Sequence, residues 1–160
     1  MKWLNLLLFV VCSSGLGLYA QAGTSFVSSR TYTVDFSITM KDLYEAAKSE
    51  DDRAIPTNRA LLLDGDIGSI LVHEDTDSGF SAEVEFLNGV WIGEETVLAY
   101  RVYLVFEGSQ FRPYFSAKSP KRLRIGQTLL VLGIYEGLGV DYDERTIVPV
   151  VKALEIRPLY

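Results

Sequence analysis

Residues 80–87 read FSAEVEFL, and the alternation of their side chains decides the fold class. Every second side chain is apolar, from Phe80 to Phe86, and those between them are polar, including Glu83 and Glu85. Successive side chains of a β-strand point to opposite faces of the sheet, so the pattern predicts a strand with one buried face. We expect Glu83 and Glu85 to face outward.

Residues 96–108, TVLAYRVYLVFEG, predict the neighbouring strand. Its apolar face runs from Leu98 to Phe106, and Arg101 and Tyr103 lie on the other face. Opposite charges on adjacent strands attract when they share a face, so we expect the two outward glutamates to pair with Arg101. Between these strands, Asn88-Gly89 is a strong hairpin signal, and residues 93–95 (Gly-Glu-Glu) form a second break.

Further β-structure is predicted on both sides of this pair. Residues 59–72, RALLLDGDIGSILV, form a long strand in which Gly65 and Gly68 permit a strong bend or bulge. Pro113 places residues 110–117 at a sheet edge, because proline cannot donate a ladder hydrogen bond. Residues 128–135 are apolar on both faces, which is typical of a strand buried on both sides in a small closed barrel.

A final strand is predicted over residues 147–156, IVPVVKALEI, after a loop at 137–146. The β-region therefore contains about five main strands with short turns, which favour antiparallel pairing. Closing such a sheet removes its edges and buries its inner face. We predict a mainly β protein, a five-stranded OB-like barrel preceded by one N-terminal α-helix. An open sheet or a sandwich is the second candidate.

The predicted helix runs from Met40 to about Arg53 and is ended by Pro56. Thr39 and Asp42 have the spacing of a capping box, with Asp in place of the usual Glu or Gln. Before it, alternating apolar residues predict an extended arm or strand over 23–39. We assign residues 40–160 to one OB-like domain that includes the helix.

The first 22 residues have the order of a secretory signal peptide. Lys2 gives a positive start, an apolar run follows to Val11, and Ala20-Gln21-Ala22 supplies a cleavage site. The run is shorter than the roughly 20 apolar residues needed to cross a bilayer. We therefore predict export, to the periplasm, with cleavage after Ala22 and no transmembrane segment in the mature chain. Lipid attachment at Cys12 is disfavoured, because bulky residues precede this cysteine.

Charge is distributed unevenly along the chain, whose net charge is −6. Residues 35–95 contain fifteen acidic against four basic side chains, whereas residues 101–124 contain six basic side chains and one acidic, Glu107. An acidic surface repels phosphate as a whole, so generic nucleic-acid binding is disfavoured and a local site remains open.

Sequence motifs for catalysis are few, and we predict that the protein is not an enzyme and needs no cofactor. Cys12 is the only cysteine and precedes the cleavage site, and no nucleophile motif or phosphate-binding motif occurs. Residues 73–77 (His-Glu-Asp-Thr-Asp) could bind a divalent cation, but they lack EF-hand spacing. A solvated acidic turn is the better interpretation, and we assign no metal site.

Basic and aromatic side chains are mixed over residues 112–124, a composition that OB grooves use to bind single strands. The usual binding surface of this fold is the outer face of its second and third strands, where the two glutamates disfavour phosphate. The candidate binding residues are therefore drawn from both regions: Arg101, Tyr103, Arg112, Tyr114, Lys118, Lys121, Arg122 and Arg124. We expect residues 118–124 to be mostly solvated.

Three segments resemble the tRNA-anticodon-like family of small exported bacterial OB-fold proteins: MKDLYEAAKSEDDRA, ALLLDGDIGSI and LRIGQTLLVLGIYEG. The resemblance rests on the helix pair Leu43-Tyr44, the first-strand Gly65 and the late turn Gly126-Gln127, and it covers residues 40–156. It implies an exported OB fold. Nucleic-acid binding is implied by fold analogy alone, and no catalytic residues are carried over.

Two functional hypotheses follow. The first is a non-enzymatic binding or scaffold module of the cell envelope, contacting an unknown protein or envelope component. The alternative is an oligonucleotide or other polyanion binder that uses residues 112–124. A nucleic-acid partner is possible but not favoured at this point, and the sequence does not define the oligomeric state. An enzyme centred on His73 is a third, weaker hypothesis.

Overall fold

The computed structural model describes residues 31–159. Their elements are β1 (Val34–Asp35), α1 (Met40–Ser49), β2 (Ala60–Asp75), β3 (Phe80–Trp91), β4 (Val97–Glu107), α2 (Arg112–Phe115), β5 (Thr128–Val140) and β6 (Ile147–Pro158). The predicted signal peptide and the first part of the predicted arm lie outside the described residues. Within residues 31–159, every helix is too short or too polar to span a bilayer.

The five long strands close into a ring. β2, β3, β4, β6 and β5 pair in that order, and β5 returns to pair with β2. All of these pairs are antiparallel except β4 with β6, which is parallel at residues 103–105. This strand order in a five-stranded barrel is that of an OB fold. The predicted OB-like barrel with one helix before it is therefore confirmed.

Closure depends on β2, which bends and contributes to both sides of the barrel. Residues 60–66 of β2 pair with β5, and residues 66–75 pair with β3. The register with β3 shifts between Ile67 and Ser69, around Gly68. At Gly65, a Cβ atom would lie 2.5 Å from the backbone oxygen of Leu87. The predicted role of the two glycines is confirmed: Gly68 lies at the register shift, and at Gly65 the bend brings backbone too close for a side chain.

The barrel interior contains the apolar faces that alternation predicts. Phe80, Ala82, Val84 and Phe86 of β3 are all buried, and the inner face of β4 is buried from Tyr100 to Phe106. Strand β5 differs from the prediction, because only its inner face is fully buried. Its outer side chains, Leu130, Leu132 and Ile134, are half-buried.

Helix α1 begins as predicted and ends earlier than predicted. Thr39 and Asp42 form a reciprocal capping box, in which each side chain bonds the backbone N–H of the other. The helix ends at Ser49 rather than near Arg53. Glu50 adopts a left-handed conformation with φ 53°, and its N–H bonds back to the helix carbonyls. This C-cap terminates the helix before Pro56 can act.

Helix α2 replaces a predicted edge strand. Pro113 lies in the first turn of α2, where a missing N–H costs nothing. Two phenylalanines anchor this region: Phe111 and Phe115 place their ring centroids 5.2 and 5.1 Å from that of Phe106. At the other end of β4, Tyr44 of α1 lies 5.4 Å from Tyr100. The two helices therefore pack toward opposite ends of the barrel.

The β3–β4 hairpin is longer than predicted. Asn88 and Gly89 do not form its turn; they pair with Tyr100 and Ala99 inside the ladder. The chain reverses at residues 92–96, where the N–H of Ile92 donates to the carbonyl of Thr96. The second glycine break therefore makes the turn. The hairpin signal at 88–89 is overridden by continued pairing of apolar strands.

The bend at Gly65 can be tested by adding a single methyl group. We expect Gly65→Ala to destabilise the protein by about 1–3 kcal/mol, because the new Cβ meets backbone that cannot move without opening the barrel. Gly89→Ala is the control, since its Cβ would lie 3.3 Å from a side-chain methyl of Val97 and nowhere near backbone. Urea unfolding measures both. Equal midpoints for the two variants would contradict the role of Gly65.

Candidate anion-binding surface

The outer face of β3 and β4 carries the charges that the sequence places there. Glu85 and Arg101 form an ion pair at 3.4 Å, so the predicted cross-strand pairing is confirmed for Glu85. Glu83 instead accepts a hydrogen bond from the hydroxyl of Tyr142 at 2.7 Å, and its other oxygen lies 3.9 Å from Nε2 of His73. This face therefore carries more carboxylates than cations, since Arg101 is shared and, among residues 31–159, Glu83 has no basic partner closer than His73.

The turn between β5 and β6, residues 141–146, covers part of this face. The carboxylate of Asp141 accepts a hydrogen bond from the hydroxyl of Tyr103 at 2.7 Å and pairs with Arg101 at 2.7 Å. The rings of Tyr103 and Tyr142 meet edge to face, with centroids 6.1 Å apart. Asp141 thus bonds the side chains of both candidate binding residues of β4, Arg101 and Tyr103. Tyr103 is also buried.

The protonation of this turn follows from its contacts. The hydrogen bond from Tyr103 lowers the pKa of Asp141 below its ordinary value, and burial together with Asp141 raises the pKa of Tyr103. The hydroxyl and backbone N–H of Thr146 hold the pKa of Asp143 at about 2. The carboxylate of Glu83 raises the pKa of Tyr142 to about 12. At neutral pH the turn therefore presents charged carboxylates to Arg101.

The basic segment, residues 118–124, lies between α2 and β5 and is anchored at Leu123. Leu123 is 2% exposed and belongs to the core, and its N–H donates to the carbonyl of Tyr114 at 2.7 Å. The N–H of Gly126, which has φ 78°, donates to the carbonyl of Ile67. A buried leucine between two exposed arginines fixes Arg122 and Arg124 on the surface.

The cations of the basic segment have no acidic partner within the described part of the chain. Lys118, Lys121, Arg122 and Arg124 are exposed, and every ion pair found among residues 31–159 involves other side chains. Lys121 places its ammonium 6.0 Å from the ring centroid of Tyr114. Unpaired cations beside an aromatic ring can attract and contact an anion.

Two grooves flank Arg122 and Arg124. The first, of about 430 Å³, is also lined by Tyr114, Lys121 and two prolines. The second, of about 540 Å³, is lined on its other side by apolar side chains of β2 and α2, namely Ile70, Val72 and Phe115. Neither groove has a carboxylate in its lining. A polymer that crosses the two arginines would therefore meet positive charge and apolar walls together.

Arg112 is separated from this group by its contacts. Its guanidinium bonds the carboxylate of Asp75 at 2.6 Å and the carbonyls of Thr76 and Gly79. It therefore ties α2 to the β2–β3 turn. Of the eight candidate binding residues, the structure brings Tyr114, Lys121, Arg122 and Arg124 together around one groove and leaves Lys118 exposed. It places Arg101, Tyr103 and Arg112 in internal contacts.

The acidic side chains of residues 73–77 make contacts within and around the β2–β3 turn. Glu74 accepts a hydrogen bond from the hydroxyl of Thr76 at 2.8 Å, and Asp75 pairs with Arg112. Across residues 31–159, the structure contains no group of three or more side chains arranged to hold a metal ion. The His73 ring contacts Glu83 rather than the carboxylates beside it in sequence.

Comparison with known proteins gives structural likenesses at low sequence identity. PriB from Ralstonia solanacearum matches 62% of this chain over 97% of its own, with 11% identity and a TM-score of 0.39. A small single-stranded DNA-binding protein from Streptomyces coelicolor matches 62% over 93%, with 11% identity and a TM-score of 0.42. The protein SSBb from Mycobacterium smegmatis matches 62% over 86%, with 17% identity and a TM-score of 0.41. No family model and no curated protein matches the sequence.

Sequence reasoning missed the contact made by the turn at 141–146. Residues 137–146 are predicted as a loop, and nothing in the composition says which surface such a loop covers. The hydrogen-bond partner of Asp141, Tyr103, is 38 residues away in the chain. The partner of Tyr142, Glu83, is 59 residues away. Only the closed barrel brings them onto β3 and β4.

The contact of Asp141 predicts a pH-dependent stability. We expect Asp141→Asn to lower the free energy of unfolding at pH 7 by about 1–2 kcal/mol, because charged hydrogen bonds to Tyr103 and Arg101 are lost. The folded-state pKa of Asp141 lies below its ordinary value of 3.8, so this stabilisation is present above pH 3.8 and disappears as the pH falls further.

Denaturant unfolding from pH 7 to pH 2 measures the difference between wild type and Asp141→Asn. Asp77→Asn is the control, since it removes the same charge from an exposed position in the β2–β3 turn. A difference between wild type and Asp141→Asn that stays constant down to pH 2 would show that the carboxylate charge is not what stabilises the turn.

Proposed function

We propose that this protein is a non-enzymatic OB-fold binding protein that takes a single-stranded oligonucleotide or another polyanion on its basic segment. One observation carries the proposal: four exposed cations without an ion pair among the described residues are concentrated between Lys118 and Arg124. Elsewhere among the described residues, Arg101 and Arg112 have carboxylate partners. The other cations of residues 31–159 that form no ion pair are spread over α1, the β5–β6 turn and β6, at Lys41, Lys48, Arg145 and Arg157. Leaving cations unpaired conserves their charge for a ligand.

The site differs from the usual OB surface. The outer face of β3 and β4 is occupied by Asp141 and Tyr142 and contains Glu83 and Glu85, so phosphate would be repelled there. The basic segment lies beside α2, and its two grooves are free of carboxylates. Tyr114 offers a ring on which a base can stack, a contact worth about 1–3 kcal/mol per base.

This geometry favours the polyanion hypothesis over the envelope scaffold as the function of residues 118–124. A scaffold role requires no particular charge at this position, whereas a linear polyanion requires several cations within reach of successive phosphates. Polyanion binding also explains why Leu123 is buried between the two arginines: it fixes their backbone and reduces the entropy lost on binding.

The resemblance to the tRNA-anticodon-like family is part of the proposal. Four of the five residues that carry it have a structural role in this barrel. Leu43 is buried in the core and Tyr44 packs on Tyr100. Gly65 permits the close approach of β2 to β3, and Gly126 has the positive φ that opens β5.

Removing two cations should weaken binding in a salt-dependent way. We expect Arg122→Ala/Arg124→Ala to lower affinity for a fluorescent single-stranded oligonucleotide by about 25-fold at 0.1 M salt. The slope of log K against log salt should fall by about 1.4, because each phosphate contact contributes about 0.7 for single strands. Fluorescence anisotropy at several salt concentrations measures both quantities.

The matched control for this experiment is Lys41→Ala/Lys48→Ala, which removes the same charge from exposed positions of α1. If the two double variants lose the same affinity and slope, binding is due to general charge and the basic segment is not the site. Heparin as a second ligand distinguishes a preference for nucleic acid from binding to any polyanion.

We further propose that the protein is exported and acts outside the cytoplasm, on the strength of residues 1–22. The expected mature protein begins at Gly23, because signal peptidase cleaves after the small residues of Ala20-Gln21-Ala22. Cell fractionation followed by intact mass and N-terminal sequencing tests this. A cytoplasmic product that retains Lys2 and Trp3 would refute export, and a lipid on Cys12 would refute the cleavage site.

A further inference from the structure

The tip of the β3–β4 hairpin extends beyond the barrel as an apolar arm, which we define as residues 88–92 and 97–100. The last residue of β3 that pairs with β2 is Leu87, opposite Asp66. Strand β3 continues for four more residues, to Trp91, while it pairs with β4 as far as Val97. Among residues 31–159, the side of β3 that faces away from β4 therefore has no strand partner over 88–91.

The arm exposes large apolar side chains on both of its faces. Trp91 is 68% exposed, Ile92 51%, Val97 49% and Val90 40%. Trp91 and Val97 are a directly opposed pair on one face, and Val90 lies on the other. A solvated hairpin normally has polar side chains on at least one face, so an arm that is apolar on both is typical of an interaction surface.

A groove of about 520 Å³ lies beside the free edge of β3 and has apolar walls with two charged side chains, Lys41 and Asp64, in its lining. Asn88 and Val90 form one wall, and Leu62 of β2 forms another. The segment before α1 supplies Phe36, which is 75% exposed. A strand that paired with the edge at 88–91 would place alternate side chains into this groove.

The charge of the arm indicates what covers it. Residues 88–92 and 97–100 contain no charged side chain, although the chain has net charge −6 and fifteen carboxylates between residues 35 and 95. Glu94 and Glu95 lie in the turn, beyond the paired stretch. An isologous interface brings each group close to its own copy, so a charged patch would repel itself and a neutral apolar patch would not.

We propose that the arm is the dimerisation surface of this protein and that its occupant is the arm of a second copy. The two β3 edges pair antiparallel about a two-fold axis, which satisfies the backbone groups left without a partner at 88–91. Trp91, Val90 and Phe36 are buried by the same contact. This interface uses none of the residues of the basic segment.

Sedimentation velocity of the mature protein over a range of concentrations tests the proposal. The expected result is a mass that doubles as concentration rises, together with a blue shift of tryptophan emission. The chain contains two tryptophans, Trp3 and Trp91, and Trp3 lies in the predicted signal peptide. The emission of the mature protein therefore reports on Trp91 alone.

Val90→Lys should keep the protein monomeric at every concentration, because the two introduced ammonium groups would repel each other across the two-fold axis. Ile125→Lys is the matched control, since Ile125 is 70% exposed and lies outside the arm; it should dimerise like the wild type. Circular dichroism confirms that both variants fold.

Three results would overturn the proposal. The first is a wild-type monomer with red-shifted emission at all concentrations, and the second is a dimer that Val90→Lys leaves intact. The third is a blue shift that appears only with lipid vesicles, which would assign the arm to a membrane surface. Oligonucleotide binding by Arg122→Ala/Arg124→Ala is measured separately, so failure of either proposal does not affect the other.

Discussion

The bend in β2 is the constraint on which the rest of the structure depends. One strand of sixteen residues must pair with β5 in its first half and with β3 in its second half. Gly65 and Gly68 permit this, because at Gly65 the backbone of Leu87 occupies the space where a Cβ would lie. Without this bend, β5 and β6 would have no route back to β2, and the sheet would keep two open edges.

Closure determines where charged side chains can interact. Because the ring brings the β5–β6 turn over β3 and β4, Asp141 meets Arg101 and Tyr103, although 40 and 38 residues separate them in sequence. The surface that an OB fold usually offers to ligands is thereby filled by the chain itself. Four of the cations that form no ion pair among the described residues lie together on the connection between α2 and β5, which the barrel holds through Leu123 and Gly126.

Much of this fold could be predicted because its determinants are local. The alternation in FSAEVEFL fixes which side chains of β3 face the core, and the glycines of β2 mark the bend. Errors arose where tertiary contacts override local signals. Asn88-Gly89 favours a tight turn, but pairing with Tyr100 and Ala99 continues through it. Pro113 lies in the first turn of a short helix, which Phe111 and Phe115 pack onto Phe106.

The candidate site could be predicted only in part, for the same reason. Composition identifies a cluster of basic residues, but it does not distinguish Arg112 from Arg122. The difference is set by Asp75, which lies 37 residues before Arg112 and reaches it only across the folded β2–β3 turn. Whether a cation is available to a ligand is a property of the closed barrel and not of its neighbours in sequence.

The two proposed surfaces are separated along the barrel, and this separation has a consequence. The basic segment lies beside Val72, which pairs with Ala82, and the arm begins six residues further along β3, at about 3.3 Å per residue or roughly 20 Å away. A dimer joined through the arms would therefore leave both basic segments exposed. Two moderate sites on one particle bind a single polymer more tightly than either does alone, because the second contact is intramolecular. An acidic protein with only four cations in its basic segment could in this way hold a polyanion that a monomer would release.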